Sequence, residues 1–304
     1  MTKSLLSSIL ALAAAAALIA IDPVRVSGQG GPAGGKAGGK GAKAKADGGG
    51  GGANPALYGP YYSPPVIPGG PVLRLPDGKP DIQGYYATRF NRAVFDIEDQ
   101  GKNKGAIVDP PGGKIPYTPE GRAKALDMGK NHMFEEPEAH CYQSGVPHSG
   151  YQHFGFQAVQ SPGYLVLLYE YAHSVRIIPT DGRKHIPAGM QLFMGDSAGH
   201  WEGDTLVIDT TNQNGKTWFD MVGNFTTPAI HVVERLTPVD SNTIQYQATI
   251  EDPGVYTRPW KIAGEWGRRP YAEYEQMEFA CHEGNQDLHH YVESEGGKAK
   301  SVIR

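Results

Sequence analysis

Residues 199–210, GHWEGDTLVIDT, decide the fold class. A tryptophan and a Glu-Gly-Asp turn lead straight into a β-branched run, and Gly203 is the residue type that relieves a tight turn. The stretch therefore reads as a β-hairpin. Strand side chains alternate, so Leu206, Ile208 and Thr210 share one face of the second arm, and Thr205, Val207 and Asp209 share the other. Both faces carry apolar residues, as does YLVLLYEY at 164–171. Such strands arise where a sheet encloses a core and is itself wrapped by other chain.

Working outward, β-rich runs at 164–171, 174–179, 205–211, 230–237, 243–251, 258–264 and 273–280 alternate with the turn-forming clusters TDGR, WEGDT and PVDSNT. Links this tight suit antiparallel neighbours, because parallel strands need crossovers of about a dozen residues or more. The expected fold is mainly β and antiparallel, a lipocalin-like closed or curled barrel, with a two-sheet sandwich as the alternative. Residues 54–92 are rich in Pro, Gly and Tyr and read as extended chain wrapped over the outside. One short helix is expected after Thr118, with Pro119 in its first position, Glu120 in its first turn and Gly129 at its end.

The rest of the 304-residue chain divides by composition. Lys3 and the apolar run at 5–21 have the charged start and hydrophobic middle of a secretory signal, with cleavage expected after Gly28; a membrane anchor is the rival reading. Residues 29–53 are mostly Gly, Ala and Lys and cannot bury enough apolar area to offset ordering, so they read as a disordered linker. Its Lys36, Lys40, Lys43 and Lys45 are suited at most to weak contact with an anionic surface. A single β-rich domain over 54–292 and a flexible tail over 293–304 complete the division. The formal charge is −4, and several positive charges sit in the signal and linker, so the folded part is more acidic than the total. A nucleic-acid partner would require a basic face instead.

Cys141 and Cys281 are the only cysteines. In an exported chain two thiols commonly pair, which predicts a disulfide and a periplasmic or extracellular location, with no transmembrane segment after cleavage. The rival is a metal site using His140 and His282 as well. Adjacent residues of a strand point to opposite faces, so one cation cannot readily use both members of either His-Cys pair. The other histidines are scattered, HEGNQ after His282 lacks the second histidine of a zinc-protease motif, and no metal or other cofactor is expected.

Several phrases together, LPDGKPDIQGYY, PYTPEGRA, SPGYLVLLYEYAHSVRIIPTDGR, MGDSAGHWEGDTLVIDTT, KTWFD, HVVERLT and TIEDPGVYTRPW, resemble a large family of exported, mostly uncharacterised proteins of environmental bacteria. The likeness spans about residues 72–285 and implies a secreted β-rich protein without implying an activity. WEGDTLV is also similar, locally, to short stretches of lipocalin-like barrels, and fold alone does not fix function.

Candidate chemistry comes from charges placed in apolar rows. Ile230, Val232, Glu234 and Leu236 share a face by parity, with His231, Val233 and Arg235 opposite. A buried carboxylate there either pairs with a cation such as an arginine of a neighbouring strand, or holds its proton and becomes suited to acid–base work. Glu170 follows the face of Tyr164, Val166 and Leu168, with His173 and Arg176 just beyond. If Glu170, His173 and Arg176 converge with His231 and Glu234, the interior holds an acid, a base and a fixed cation; the alternative is a polar hairpin rim. Parity argues against a direct His231–Glu234 partnership. Tyr169, Tyr171, Trp218, Tyr246, Tyr256, Trp260 and Trp266 supply ring faces for a sugar or flat apolar molecule, or else core packing. Trp260 follows Pro259, an edge signal. Ser197 in GDSAG precedes a hairpin rather than a helix, which argues against a serine hydrolase, and no phosphate-cradling glycine loop precedes a helix.

The leading functional expectation is an exported barrel that binds a small organic molecule or sugar in an aromatic-lined cavity, with Tyr169, Trp218 and Trp260 against its body and Arg176 or Arg235 on its polar end. The alternatives are a lyase, isomerase or hydrolase using the same cavity, with Glu170, His173, His231 and Glu234 as acids and bases, and a structural envelope protein with no site.

Overall fold

The structure, a computed structural model, describes residues 66–102, 104–270 and 275–294. The expected signal and linker lie outside the described residues, as does nearly all of the tail.

The strands are β1 (Gly84–Arg89), β2 (Ile107–Asp109), β3 (Phe156–Ser161), β4 (Tyr164–Tyr169), β5 (Val175–Pro179), β6 (Asp196–Glu202), β7 (Thr205–Thr211), β8 (His231–Pro238), β9 (Thr243–Glu251) and β10 (Trp260–Arg269). Around the sheet they run β5-β4-β3-β1-β10-β9-β8-β7-β6, with β2 attached beside β10. Every pairing is antiparallel. Nine strands thus form a nearly closed barrel with one unsealed seam, where β5 and β6 lie side by side without a strand ladder. The hairpin read at 199–210 is β6–β7, in register through Glu202↔Thr205, and Gly203 turns it at φ +59°.

Parity fixes what the barrel contains. Val232, Glu234 and Leu236 of β8 are buried, as are Leu206, Ile208 and Thr210 of β7. In β4 the buried set is Leu165, Leu167 and Tyr169, the face opposite to the one carrying Tyr164, Val166 and Leu168. Rings dominate one part of the core: Tyr246 and Trp266 lie 5.2 Å apart, and Phe156 meets Trp266 edge-on at 4.7 Å. The indole N–H of Trp266 is satisfied by the Gly150 carbonyl at 2.7 Å.

Residues 66–79 run over the outside, held by the Arg74–Asp204 ion pair and by the Gly70 N–H to Ser241. The Pro/Gly/Tyr-rich segment does not stay outside, however. Its last part becomes β1, an interior strand between β3 and β10, once the prolines stop and Tyr86 can turn inward. The expected helix is α1 (Pro119–Asn131), with the Thr118 hydroxyl accepting the Gly121 N–H at 3.0 Å. It runs through Gly129 instead of stopping there. A Cβ at Gly129 would lie 2.2 Å from the Val222 carbonyl oxygen, so this glycine serves a close approach of two backbones. The described part of 273–280 is irregular chain rather than strand, and a short helix, α2 (Asp287–Ser294), follows it. No helix among the described residues is long and apolar enough to cross a membrane.

Candidate functional site

Inside the barrel, Arg176 of β5 reaches across the open seam. Its Nε donates to Ser197 Oγ of β6 at 2.9 Å, its Nη2 to Thr210 Oγ1 of β7 at 2.8 Å, and its Nη1 to Glu234 Oε1 of β8 at 3.1 Å. A second, closer contact joins Nη2 to Glu234 Oε2. Tyr246 of β9 donates to the same carboxylate at 2.8 Å. Both charged side chains are buried, 3% and 1% exposed, and each has its opposite charge and satisfied hydrogen bonds, the condition under which a buried ion pair persists. One guanidinium therefore does on the inside of the seam what a ladder does elsewhere. Burial first, and the adjoining Glu234 charge second, push the Tyr246 phenol far above its ordinary value, so it remains a donor.

The other expected site residues do not join this cluster. Glu170 leaves β4 just before a tight turn in which Ala172 and His173 take left-handed conformations. That turn carries Glu170 to the end of the barrel, where it accepts the Tyr85 hydroxyl at 2.8 Å and the N–H groups of Gly155 and Met277 at 3.2 and 3.0 Å. His173 is exposed. His231 lies on the outer face, bonded to Asp209 at 2.8 Å, and Asp209 in turn meets His185 at 2.8 Å. Arg235 is also outside, paired with Glu202 at 2.9 Å beside a shallow 400 Å³ depression. Trp260 is fully buried against Phe219 and Tyr256, and Trp218 is 5% exposed. Of Glu170, His173, Arg176, His231 and Glu234, the structure brings together Arg176 and Glu234 alone: Glu170 fastens the barrel end, and His173 and His231 face outward. Among the described residues no group of three or more His, Cys, Asp or Glu side chains is placed to hold a metal ion.

A different set of residues surrounds a cavity of 780 Å³ beside the 136–154 segment and the C-terminal segment. Three ties hold that C-terminal segment in place. The Met277 N–H is bound by Glu170, Cys281 is joined to Cys141 by a disulfide, and the Asn285 amide donates to the Ala139 carbonyl at 3.1 Å. Phe279 is thereby set against Phe154 at 4.8 Å and Tyr171 at 5.2 Å. On the opposite wall, EEPEAHC folds into a turn capped by the second of its carboxylates: Glu136 accepts the N–H groups of Glu138 and Ala139 at 3.0 and 2.6 Å. Glu138 accepts from Ser144 Oγ at 3.1 Å and, more closely, from the Gln152 amide. Behind it, His148 Nδ1 donates to the Trp218 carbonyl at 2.9 Å, which leaves Nε2 unprotonated and 3.5 Å from Glu138 Oε1.

These carboxylates have neutral donors but, among the described residues, no guanidinium or ammonium partner. Burial pushes Glu136 up to about 7, opposed by its backbone hydrogen bonds. Glu138 is raised well above the ordinary range by burial and then by the nearby Glu136 charge. Burial moves the histidines the other way, His148 to about 3 and His153 to about 4. Near neutrality the site can hold protons on its acids while its bases are uncharged, an arrangement suited to accepting and returning protons.

The sequence reading did not single out Glu136, Glu138, His148, Phe154 or Phe279. A usable signal was present, because a disulfide brings the neighbourhoods of both cysteines together, and EEPEAHC and MEFACHEG supply those acids and that ring. No family model matches the chain, and no curated protein or solved structure matches it either.

Proposed function

We propose that this protein is an exported β-barrel that binds a small organic molecule at the barrel end, in the cavity walled by its disulfide-anchored C-terminal segment. One observation carries the reading: the Phe154, Tyr171 and Phe279 rings meet around a 780 Å³ space that also receives the buried acids Glu136 and Glu138. Ring faces supply apolar area and the polar groups fix orientation, the usual composition of a small-ligand site. The proposal relocates the ligand from the barrel interior, where Arg176, Glu234, Trp260 and Trp266 have partners in the core, to its mouth. A periplasmic or extracellular location accords with the disulfide and with the leader-like N-terminus. The proposal includes membership in the exported family whose phrases the chain shares.

Thermal-shift and calorimetric screening of small aromatic alcohols, amines, acids and sugars tests the reading. A hit whose affinity falls about tenfold or more in Phe279→Ala, an effect of about 1.4 kcal/mol, with the unfolding transition retained, supports it. Hits that bind Phe279→Ala unchanged place the ligand elsewhere. A second reading, an acid–base enzyme, is favoured by the raised carboxyls of Glu136 and Glu138. Conversion of a bound compound that stops in Glu138→Gln while binding persists distinguishes that reading from simple binding.

A further inference from the structure

We infer that the molecule taken at the barrel end is a small organic cation, an ammonium group carried on an apolar body; this rests on the binding reading above. The cavity is lined by four carboxylates, Glu136, Glu138, Glu283 and Asp287, and by no lysine or arginine among the described residues. Two of the four are built into the wall. Glu136 is 1% exposed and the Glu138 side chain 11%, and the hydrogen bonds to both come from backbone amides, a hydroxyl and a carboxamide. Such donors satisfy oxygen lone pairs without neutralising charge, so among the described residues the wall lacks a counter-charge, which an incoming cation supplies.

The rings point to the same class. Phe154, Tyr171 and Phe279 line the same cavity, and pairing a cation with aromatic rings is a recognised way to bind ammonium groups. An anion would meet the carboxylates with repulsion, and a neutral body would use the rings alone. Two histidines line the cavity, His153 and the exposed His290; burial holds His153 near 4, so it adds no competing charge near neutrality, and His148, behind Glu138, is held near 3. Because an arriving cation favours the ionised carboxylates, binding releases protons around neutrality and tightens as pH rises through about 7.

The test uses the full oxidised chain and three probes sharing one ring: benzyltrimethylammonium, benzyl alcohol and benzoate. Calorimetry at about pH 8 is expected to show the cation binding about tenfold tighter than the alcohol, with benzoate weakest, a ratio in the range of desolvated cation–π and charge contacts. The cation's advantage should shrink at about pH 6, where the acids hold their protons. Glu136→Gln should remove most of the preference while leaving benzyl alcohol binding unchanged. If that variant does not fold, the exposed Glu283→Gln with Asp287→Asn serves instead, with an expected loss of about threefold. Benzyl alcohol binding as tightly as the cation overturns the cation assignment and leaves the cavity reading standing. Failure of all three probes to bind overturns both.

Discussion

Glu234 and Glu136 are buried carboxylates of one chain, each about 1% exposed, yet they are compensated in different ways. Glu234 sits inside the barrel against the Arg176 guanidinium, with Tyr246 as an additional donor. Glu136 sits at the barrel end with two backbone N–H groups and, among the described residues, no cation. The first arrangement is closed: removing either partner strands a charge, and nothing is left over to interact with a ligand. The second is open, since its charge balance is completed by a proton or by something that arrives. In this molecule burial alone does not distinguish the two acids, and the presence of a guanidinium partner among the described residues does.

The comparison is broken most directly at Arg176. Arg176→Met should lower the unfolding free energy by about 3 to 5 kcal/mol, and Arg176→Met combined with Glu234→Leu should recover most of that loss. Urea denaturation reads both values, and a single-variant loss below about 1 kcal/mol would show that the seam does not depend on the pair. At the barrel end, replacing Cys141 and Cys281 with serine should cost about 2 to 4 kcal/mol. Hydrogen exchange should then quicken over residues 275–291 while the β7, β8 and β9 amides stay protected. Uniform acceleration would mean that the two regions are one cooperative unit.

The next effect is a pH dependence. Folded Glu136 keeps its proton up to about 7, whereas the unfolded chain releases it near the ordinary value. Stability is therefore fully present below about pH 4.5 and is lost as pH climbs to about 7, by roughly 3 kcal/mol. His148 and His153 oppose this, because their depressed values remove stability as pH falls below about 6.5. The difference between Glu136→Gln and the parent isolates the carboxyl: the variant should gain relative stability across about pH 4.5 to 7, and a flat difference would remove Glu136 from the account.

The smallest effect is expected on the outer surface. The hydrogen bond that the His231 ring donates to the Asp209 carboxylate, partly opposed by burial, raises His231. Its contribution is present below about pH 6.5 and lost as pH rises through the raised value, but the ring is 35% exposed, so His231→Asn should change stability by less than about 1 kcal/mol. Titration of the ring by NMR gives the direction independently.

Much of the barrel is legible because its strands alternate. The β7 and β8 inner faces follow from parity, as does the separation of His231 from Glu234. Glu170 misleads because parity stops at the end of a strand, and the left-handed residues after it redirect the chain. β1 is hidden behind prolines, and its place between β3 and β10 depends on pairings distant in sequence. The candidate site is less legible still. Its walls come from two irregular segments with no periodicity, brought together by a covalent bond and by Glu170, neither of which states what lies beside it.

The disulfide also joins residues 140 positions apart, and the outer wall of the cavity is supplied by the later of the two segments. The strand ladders and the Arg176 contacts do not involve either cysteine, so a reduced chain loses only the covalent hold on that wall of the cavity. Oxidation is then what fixes that wall to the 136–154 side, a covalent tie separate from the strand ladders of the barrel.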